Sequence, residues 1–211
     1  MADLRAIGLK LLVFFFVSCV KKGNLEYTFD ISNGGNDAVL SFPKTKNNYG
    51  DHIEINIFCD TINGIKYINR AILDFNLEEL PKNVEVDSVV LQLFFNDNSG
   101  LYKIKKPGHS GNTKLIVENV LSNWSEDKIN WSKYPKIGKK KLYFGAHKTF
   151  EQDFRFNISE LVINKKKKLI KTNGFLLRLE QEKTGNYLHF CSKENKSIYC
   201  NSAKLKVYVK K

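Results

Sequence analysis

The chain has 211 residues, a length that suits one domain with a substantial core of its own. Its formal net charge is +12, which favours an acidic polymer, an anionic membrane surface or nucleic acid as a partner. Lysine, asparagine and isoleucine are abundant together. An A/T-rich genome encodes the same composition in any protein, whatever its partner. The charge alone therefore does not choose the partner.

The N-terminus predicts an export signal. Basic residues precede an apolar run at 11–17, which is too short to cross a bilayer as a helix. Ser18 and Cys19 end this run, and a small residue before a cysteine resembles the bacterial lipobox, whose cysteine carries the lipid. We expect a lipoprotein signal peptide at 1–18, lipidation at Cys19 and a lipid-anchored location in the bacterial cell envelope. An ordinary signal peptide and a buried N-terminal strand are the alternatives.

Export to the cell envelope reduces the number of possible partners. The cleavage and anchoring of the N-terminus also set the domain boundaries. An exported protein does not meet chromosomal DNA, so nucleic acid is excluded as a partner despite the positive charge. A membrane is expected as a partner through the N-terminal lipid. The polar residues at 19–36 predict an anchor and linker, and residues 37–211 predict one folded domain.

The remaining cysteines predict one disulfide. Cys191 and Cys200 lie on either side of a polar turn at 193–197, where they would be cross-strand partners in an exported protein. Cys59 ends an apolar run and is expected to be a buried free thiol. The chain has no CxxC motif and its four histidines are scattered, so no metal site is predicted.

Alternation of apolar and polar residues predicts strands along most of the chain. Helix is predicted only at 77–80, ended by Pro81, and at 158–162. Asn63-Gly64 and Asn173-Gly174 are typical turns between strands. The predicted strands include residues 52–57, 71–77, 89–95, 115–117, 154–156, 175–179, 187–190 and 205–209. This pattern predicts an all-β fold, a single antiparallel β-sandwich of jelly-roll type with short helical turns.

A polar turn lies between the two tryptophans of the chain, Trp124 and Trp131. The pattern predicts a structured loop rather than a strand. We expect Trp131 to pack in the core, and Trp124 either to pack or to stack on a ligand. Glu126 and Asp127 are potential calcium ligands, but an isolated acidic pair more often caps a turn.

Several further motifs follow one another along most of the chain. They are RAILDFNLEELP at 70–81, VDSVVLQL at 86–93, WSE at 124–126, INW at 129–131, NGFLL at 173–177, FCS at 190–192 and KLKVY at 204–208. Together they resemble the DNRLRE-domain family, which includes the carbohydrate-binding modules of family 96. Asn48-Tyr49-Gly50 lies where such modules carry an Asn-x-Gly turn. Asp74 and Ala203 depart from the family pattern.

The resemblance implies a non-catalytic β-sandwich, without a cofactor, that binds polysaccharide. Acidic polymers such as alginate are among the ligands of similar modules. Basic side chains pair with carboxylates or sulfates, and aromatic rings stack on sugar faces. The lysines within residues 103–106 would add long-range attraction. The candidate contacts are Arg70, Tyr102, Trp124, Arg178, Tyr187 and His189.

These candidates also have structural interpretations. Arg70 and Arg178 lie on predicted strands and would pair with acids such as Asp74 or Glu180 across a solvated sheet face. The lysines within 139–141 and 165–168 are predicted to be solvated loop charge or to lie against anionic lipid.

Two other classes of function remain open. Tyr187 and His189 would share one face of a strand, as in a lyase that acts on uronates. However, the chain has no paired-carboxylate signature, no Ser-His-Asp arrangement and no glycine-rich phosphate loop, so no enzyme is predicted. An envelope protein is the alternative partner, because the fold does not dictate the function.

Overall fold

The computed structural model describes residues 24–97, 108–170 and 172–210. The predicted signal peptide at 1–18, the lipidation site Cys19 and the candidate contact Tyr102 lie outside these residues. Within the described ranges, no helix is long and apolar enough to cross a membrane.

Two antiparallel sheets make up the fold. The smaller sheet has the strand order β1-β11-β5-β8, and the larger has the order β10-β3-β4-β9-β6-β7, with β2 also paired to β4. In chain order the strands are β1 (Leu25–Asp30), β2 (Asn36–Phe42), β3 (Glu54–Ile62), β4 (Ile65–Asp74), β5 (Val86–Leu93), β6 (Leu115–Val120), β7 (Ile137–Phe144), β8 (Phe154–Asn157), β9 (Phe175–Leu179), β10 (Asn186–Cys191) and β11 (Lys204–Val209). The predicted all-β sandwich is confirmed.

The main core follows from the alternation within the strands. Ile55, Ile57 and Cys59 on β3 are almost fully buried against residues from both sheets. Successive side chains point to opposite faces of a strand, so Asn56 and Phe58 lie on the face away from this core. Each fully buried aliphatic side chain stabilises the fold by about 1.5–3 kcal/mol.

A second, smaller apolar cluster lies beneath the loop at 121–136, which joins β6 to β7. Leu40, Ile72 and Leu176 belong to it, and Trp124 and Trp131 pack on it from the loop. Trp131 is half-buried here and begins a short 3-10 helix, Trp131–Lys133. The prediction that Trp131 packs in the core therefore applies to this smaller cluster and not to the main one.

The predicted linker at 19–36 is wrong where the structure describes it. Residues from Leu25 to Asp30 form β1, which pairs with β11 along its whole length. Phe29 and Ile31 are buried in the main core, so this segment belongs to the sandwich. Removing it would expose the edge of β11.

Two other local predictions are also wrong. Residues 77–80 form a turn, closed by a 3.0 Å hydrogen bond from Leu80 N–H to the Leu77 carbonyl, instead of a helix. The lysines at 139–141 lie on β7 and not in a loop. The helix expected at 158–162 is present as the single turn Ser159–Val162.

The turn before β9 needs its glycine. Gly174 has a φ of +101°, and a Cβ there would lie 2.1 Å from the Leu73 carbonyl oxygen. A side chain would clash with the backbone of β4 and would strain this left-handed conformation. The Asn173-Gly174 turn therefore allows β9 to approach β4.

The cysteines divide into one disulfide and one thiol. Cys191 and Cys200 form a disulfide with their Cα atoms 5.7 Å apart. It closes the loop that follows β10. Cys59 is a free thiol in the core, where burial raises its pKa.

Candidate functional site

A groove of about 380 Å³ opens on the larger sheet among residues of β2, β3 and β4. We call it the sheet groove. Its lining residues are Val39, Ser41, Lys44, Tyr49, His52, Glu54, Asn56, Phe58, Ile62, Tyr67 and Asn69. Grooves of this size, with apolar walls and a few polar groups, are typical of small-ligand sites.

Aromatic rings form part of the wall of the sheet groove. The Tyr49 and His52 rings meet edge to face, with their centroids 6.2 Å apart. Tyr67 is half-buried, and Phe58 stacks on Tyr187 of β10 at 5.6 Å. Flat aromatic surfaces of this kind provide apolar contact area for the CH face of a sugar ring.

Two buried amides lie in the same groove. The Asn69 Nδ2 atom donates to Asn56 Oδ1 at 2.6 Å, which fixes the orientation of both side chains. Asn69 Oδ1 is buried and accepts no hydrogen bond from any residue that the structure describes. An acceptor left without a donor costs about 1–3 kcal/mol, and a ligand hydroxyl group is a suitable donor.

A further polar group of the groove is the His52 ring. Its Nδ1 lies 3.0 Å from the Glu54 carbonyl oxygen, so Nδ1 carries the proton and donates. In the neutral ring this leaves Nε2 as an acceptor. The groove thus offers both aromatic contact and acceptors for hydroxyl groups.

The Asn48-Tyr49-Gly50 turn holds Tyr49 in place. The Asn48 side-chain amide donates to the carbonyl oxygens of Glu126, at 2.6 Å, and Ile129, at 2.8 Å. A Cβ on Gly50 would lie 2.3 Å from the Glu126 carbonyl oxygen, so only glycine allows this approach. The loop between the tryptophans therefore supports the groove from behind.

Arg70 does not line the sheet groove. Its Nε and Nη2 atoms donate to the two carboxylate oxygens of Glu182 at 2.7 and 3.0 Å, and Nη1 donates to the Tyr134 hydroxyl at 2.8 Å. The guanidinium also lies 4.7 Å from the centre of the Trp131 ring. Arg70 therefore pairs with an acidic side chain, as its structural interpretation expects, but that side chain is Glu182 and not Asp74.

Arg178 is also committed to the protein. Its Nε atom donates to Glu118 Oε2 at 2.8 Å, and Lys141 lies 3.4 Å from the other oxygen of Glu118. Glu180, the acid expected beside Arg178, lies 4.0 Å from Lys114 instead. Both arginines therefore have carboxylate partners, Glu182 in the loop after β9 and Glu118 on β6, and neither arginine lines the sheet groove.

Tyr187 and His189 flank the groove without lining it. Their rings are nearly parallel, with centroids 6.1 Å apart, as expected from their alternate positions on β10. The Tyr187 hydroxyl donates to Asp60, and burial together with this hydrogen bond raises the pKa of Tyr187. His189 is 4% exposed, and burial lowers its pKa. These two rings support the wall at Phe58.

Trp124 does not line the sheet groove. It is half-buried, and its indole N–H donates to the Asn173 carbonyl oxygen at 2.8 Å. It lines a different groove, within the loop at 121–136. Of the predicted contacts, Tyr187 and His189 therefore flank the sheet groove, and Trp124 lines the other groove. Arg70 and Arg178 line neither of them.

Sequence reasoning missed most residues of the sheet groove. One signal was available, because Asn48-Tyr49-Gly50 matched a family turn. A second was the alternation at 52–57, which placed His52 and Asn56 opposite the isoleucine face. Nothing in the sequence indicated that Asn69 would lie beside Asn56.

Three carboxylates form the best arrangement for a cation among the described residues. The oxygens of Asp37, Glu126 and Glu194 lie within 4.8 Å of one another. The Lys193 ammonium lies 2.5 Å from Glu126 and 3.8 Å from Glu194. The Lys193 ammonium therefore offsets part of the negative charge of this cluster.

A comparison with known protein families identifies a family for this chain. Residues 31–208 match the model of carbohydrate-binding module family 96. The matched range begins just after β1 and ends within β11. No curated protein was found to match the chain.

Proposed function

Because the chain belongs to carbohydrate-binding module family 96, we propose that it binds an acidic polysaccharide, without cleaving it, at the sheet groove. The observation that carries this site is the buried, unpaired Asn69 Oδ1 beside the aromatic wall. A sugar ring supplies hydroxyl donors for the amide and CH groups for the rings. The groove matches both properties of the ligand.

The positive charge of the chain supports an acidic ligand. The net charge of +12 creates a field that attracts a polyanion before contact. Within the groove itself, Lys44 is exposed and Glu54 is buried, so the local formal charges balance. We therefore assign the attraction to the surface as a whole and the recognition of the sugar ring to the groove.

The surroundings of Tyr187 and His189 favour binding without catalysis. A lyase of the predicted type would need a tyrosine or histidine able to exchange a proton with a uronate. The raised pKa of Tyr187 keeps its hydroxyl protonated, and this hydroxyl is bonded to Asp60. His189 is almost fully buried. These groups suit packing better than proton transfer.

Substitutions in the sheet groove test the proposed site. Tyr67→Ala removes a wall ring, and Asn69→Ala removes the unpaired acceptor. We expect each to weaken binding to alginate about fivefold or more, because each removes a contact of about 1 kcal/mol. Affinity electrophoresis in alginate gels measures the change, with circular dichroism as the check on folding.

The matched control is Tyr143→Ala. Tyr143 is 61% exposed on β7 and lines neither groove, so its removal should leave retention within about twofold of the wild type. If Tyr143→Ala weakens binding as much as Tyr67→Ala, the assignment to the sheet groove fails.

We further propose that Cys19 carries a lipid that anchors the protein in the bacterial cell envelope. The order of basic, apolar and small residues before Cys19 supports this. Cys19→Ser should move the protein expressed in a bacterial host from the membrane fraction to the soluble fraction. An unchanged membrane fraction in the variant would contradict the lipid anchor.

A further inference from the structure

A second groove, of about 540 Å³, lies within the loop that joins β6 to β7. We call it the loop groove. Its lining includes Trp124, Ser125, Lys128, Lys133 and Tyr134. It thus combines aromatic rings, hydroxyl groups and two basic side chains.

The aromatic side chains of the loop groove are held by the protein. The Trp124 indole N–H donates to the Asn173 carbonyl oxygen at 2.8 Å. The Tyr134 hydroxyl accepts from Arg70 at 2.8 Å, and the Tyr134 ring packs edge to face on Trp131 at 5.9 Å. Rings fixed in this way lose little freedom when a ligand binds, which favours affinity.

The loop backbone is also fixed. The N–H groups of Lys128 and Ile129 both donate to the Ser125 carbonyl oxygen, at 3.1 and 3.0 Å. The Lys133 N–H donates to the Asn130 side chain at 3.0 Å, which caps the short 3-10 helix. Lys128 and Lys133 are therefore presented from a rigid support.

The charge of the loop groove differs from that of the sheet groove. Lys128 lies 3.9 Å from Asp127, but both side chains are more than two-thirds exposed, so the pair is weak. Lys133 makes no ion pair within the described ranges, and no carboxylate lines this groove. In the sheet groove, Glu54 offsets Lys44. One exposed carboxylate, Asp127, interacts with both lysines, so the loop groove is the one of the two that keeps a net positive charge.

We propose that the loop groove binds the anionic group of the polysaccharide. Lys128 and Lys133 pair with a sugar carboxylate or sulfate, and the Trp124 ring contacts the face of the same sugar. This inference rests on the proposed polysaccharide binding and adds a second site that selects for charge. The sheet groove then recognises sugar rings, and the loop groove recognises their acidic groups.

The test neutralises the two lysines together, as Lys128→Gln/Lys133→Gln. Both are exposed, so the variant should fold as the wild type does. The control is Lys165→Gln/Lys166→Gln, which removes the same charge from an exposed loop that lines neither groove. Isothermal titration is carried out with alginate, with carboxyl-reduced alginate and with sulfated carrageenan.

We expect the affinity of Lys128→Gln/Lys133→Gln for alginate to fall about fivefold beyond any change in the control. Affinity for carboxyl-reduced alginate should stay the same, because this polymer offers no charge. A parallel loss with carrageenan means that the groove accepts both anions. A loss with alginate alone means that it selects carboxylates, and a loss with carrageenan alone that it selects sulfates.

The inference is overturned if the lysine variant binds alginate and carrageenan as tightly as its control. If Tyr67→Ala still weakens binding in that case, the proposed function stands and only the loop groove fails. If the wild type binds none of the polymers, the proposed function fails and the inference fails with it.

Discussion

At the scale of single residues, Asp37 connects three parts of the chain. Its carboxylate accepts the Lys193 N–H at 3.0 Å, and its own N–H donates to Glu126 at 2.9 Å. Burial, aided by the Glu194 and Glu126 carboxylates, raises the pKa of Asp37 to about 8. In the folded protein this side chain therefore holds a proton at neutral pH, whereas an unfolded aspartate ionises near 4.

This difference predicts a pH-dependent effect of Asp37→Asn. Between about pH 4 and 8 the folded state holds a proton that the unfolded state lacks, so Asp37 destabilises the wild type increasingly as pH rises. The asparagine side chain stays uncharged at every pH, as protonated Asp37 does, so the variant avoids this pH-dependent loss of unfolding free energy. Relative to the wild type, the variant should gain up to about 1.4 kcal/mol in unfolding free energy per pH unit in this window.

Urea denaturation at pH 5, 6, 7 and 8 measures the difference between variant and wild type. Glu151→Gln is the control, because it removes one carboxylate at an exposed position. A difference for Asp37→Asn that stays constant from pH 5 to 8 would contradict the raised pKa.

The residue scale also shows why much of the candidate site was not predictable. Tyr187 and His189 were correctly placed on one face, because alternation along a strand is a local property. The Glu182 partner of Arg70 is 112 positions away in the chain. The sequence shows that a residue is a charged arginine, but it does not show which distant carboxylate pairs with it.

At the scale of strands, prediction succeeded where one face is buried and the other is not. β8 and β11 alternate in this way, and both were predicted. β2 is buried along five consecutive residues, so it has no alternation to detect. When both faces of a strand are buried, its sequence lacks the apolar and polar alternation by which strands are recognised, so the strand is easily missed.

Two of the edge strands were the other elements missed. β7 is an edge strand with lysines at 139, 140 and 141, and a run of charge resembles a loop. Charged side chains on an edge discourage pairing with another chain, so these lysines suit the position. β1 is likewise an edge strand, and its partner β11 lies at the far end of the sequence.

At the scale of the whole molecule, the sandwich separates ring recognition from charge recognition. The sheet groove provides rings and amides with balanced charge, and the loop groove provides rings with two lysines. The loop between the tryptophans connects them, because it supports Tyr49 from one side and contains the loop groove. The surrounding net charge of +12 then attracts the polymer to both.

The most direct test of polysaccharide binding is the retardation of the wild-type protein in gels that contain alginate or carboxyl-reduced alginate. We predict stronger retardation by alginate at low salt. The difference should shrink as ionic strength rises, because exposed charges are screened beyond about 10 Å at 0.1 M. No retardation by either polymer at low salt would contradict the account and would favour a protein partner in the envelope.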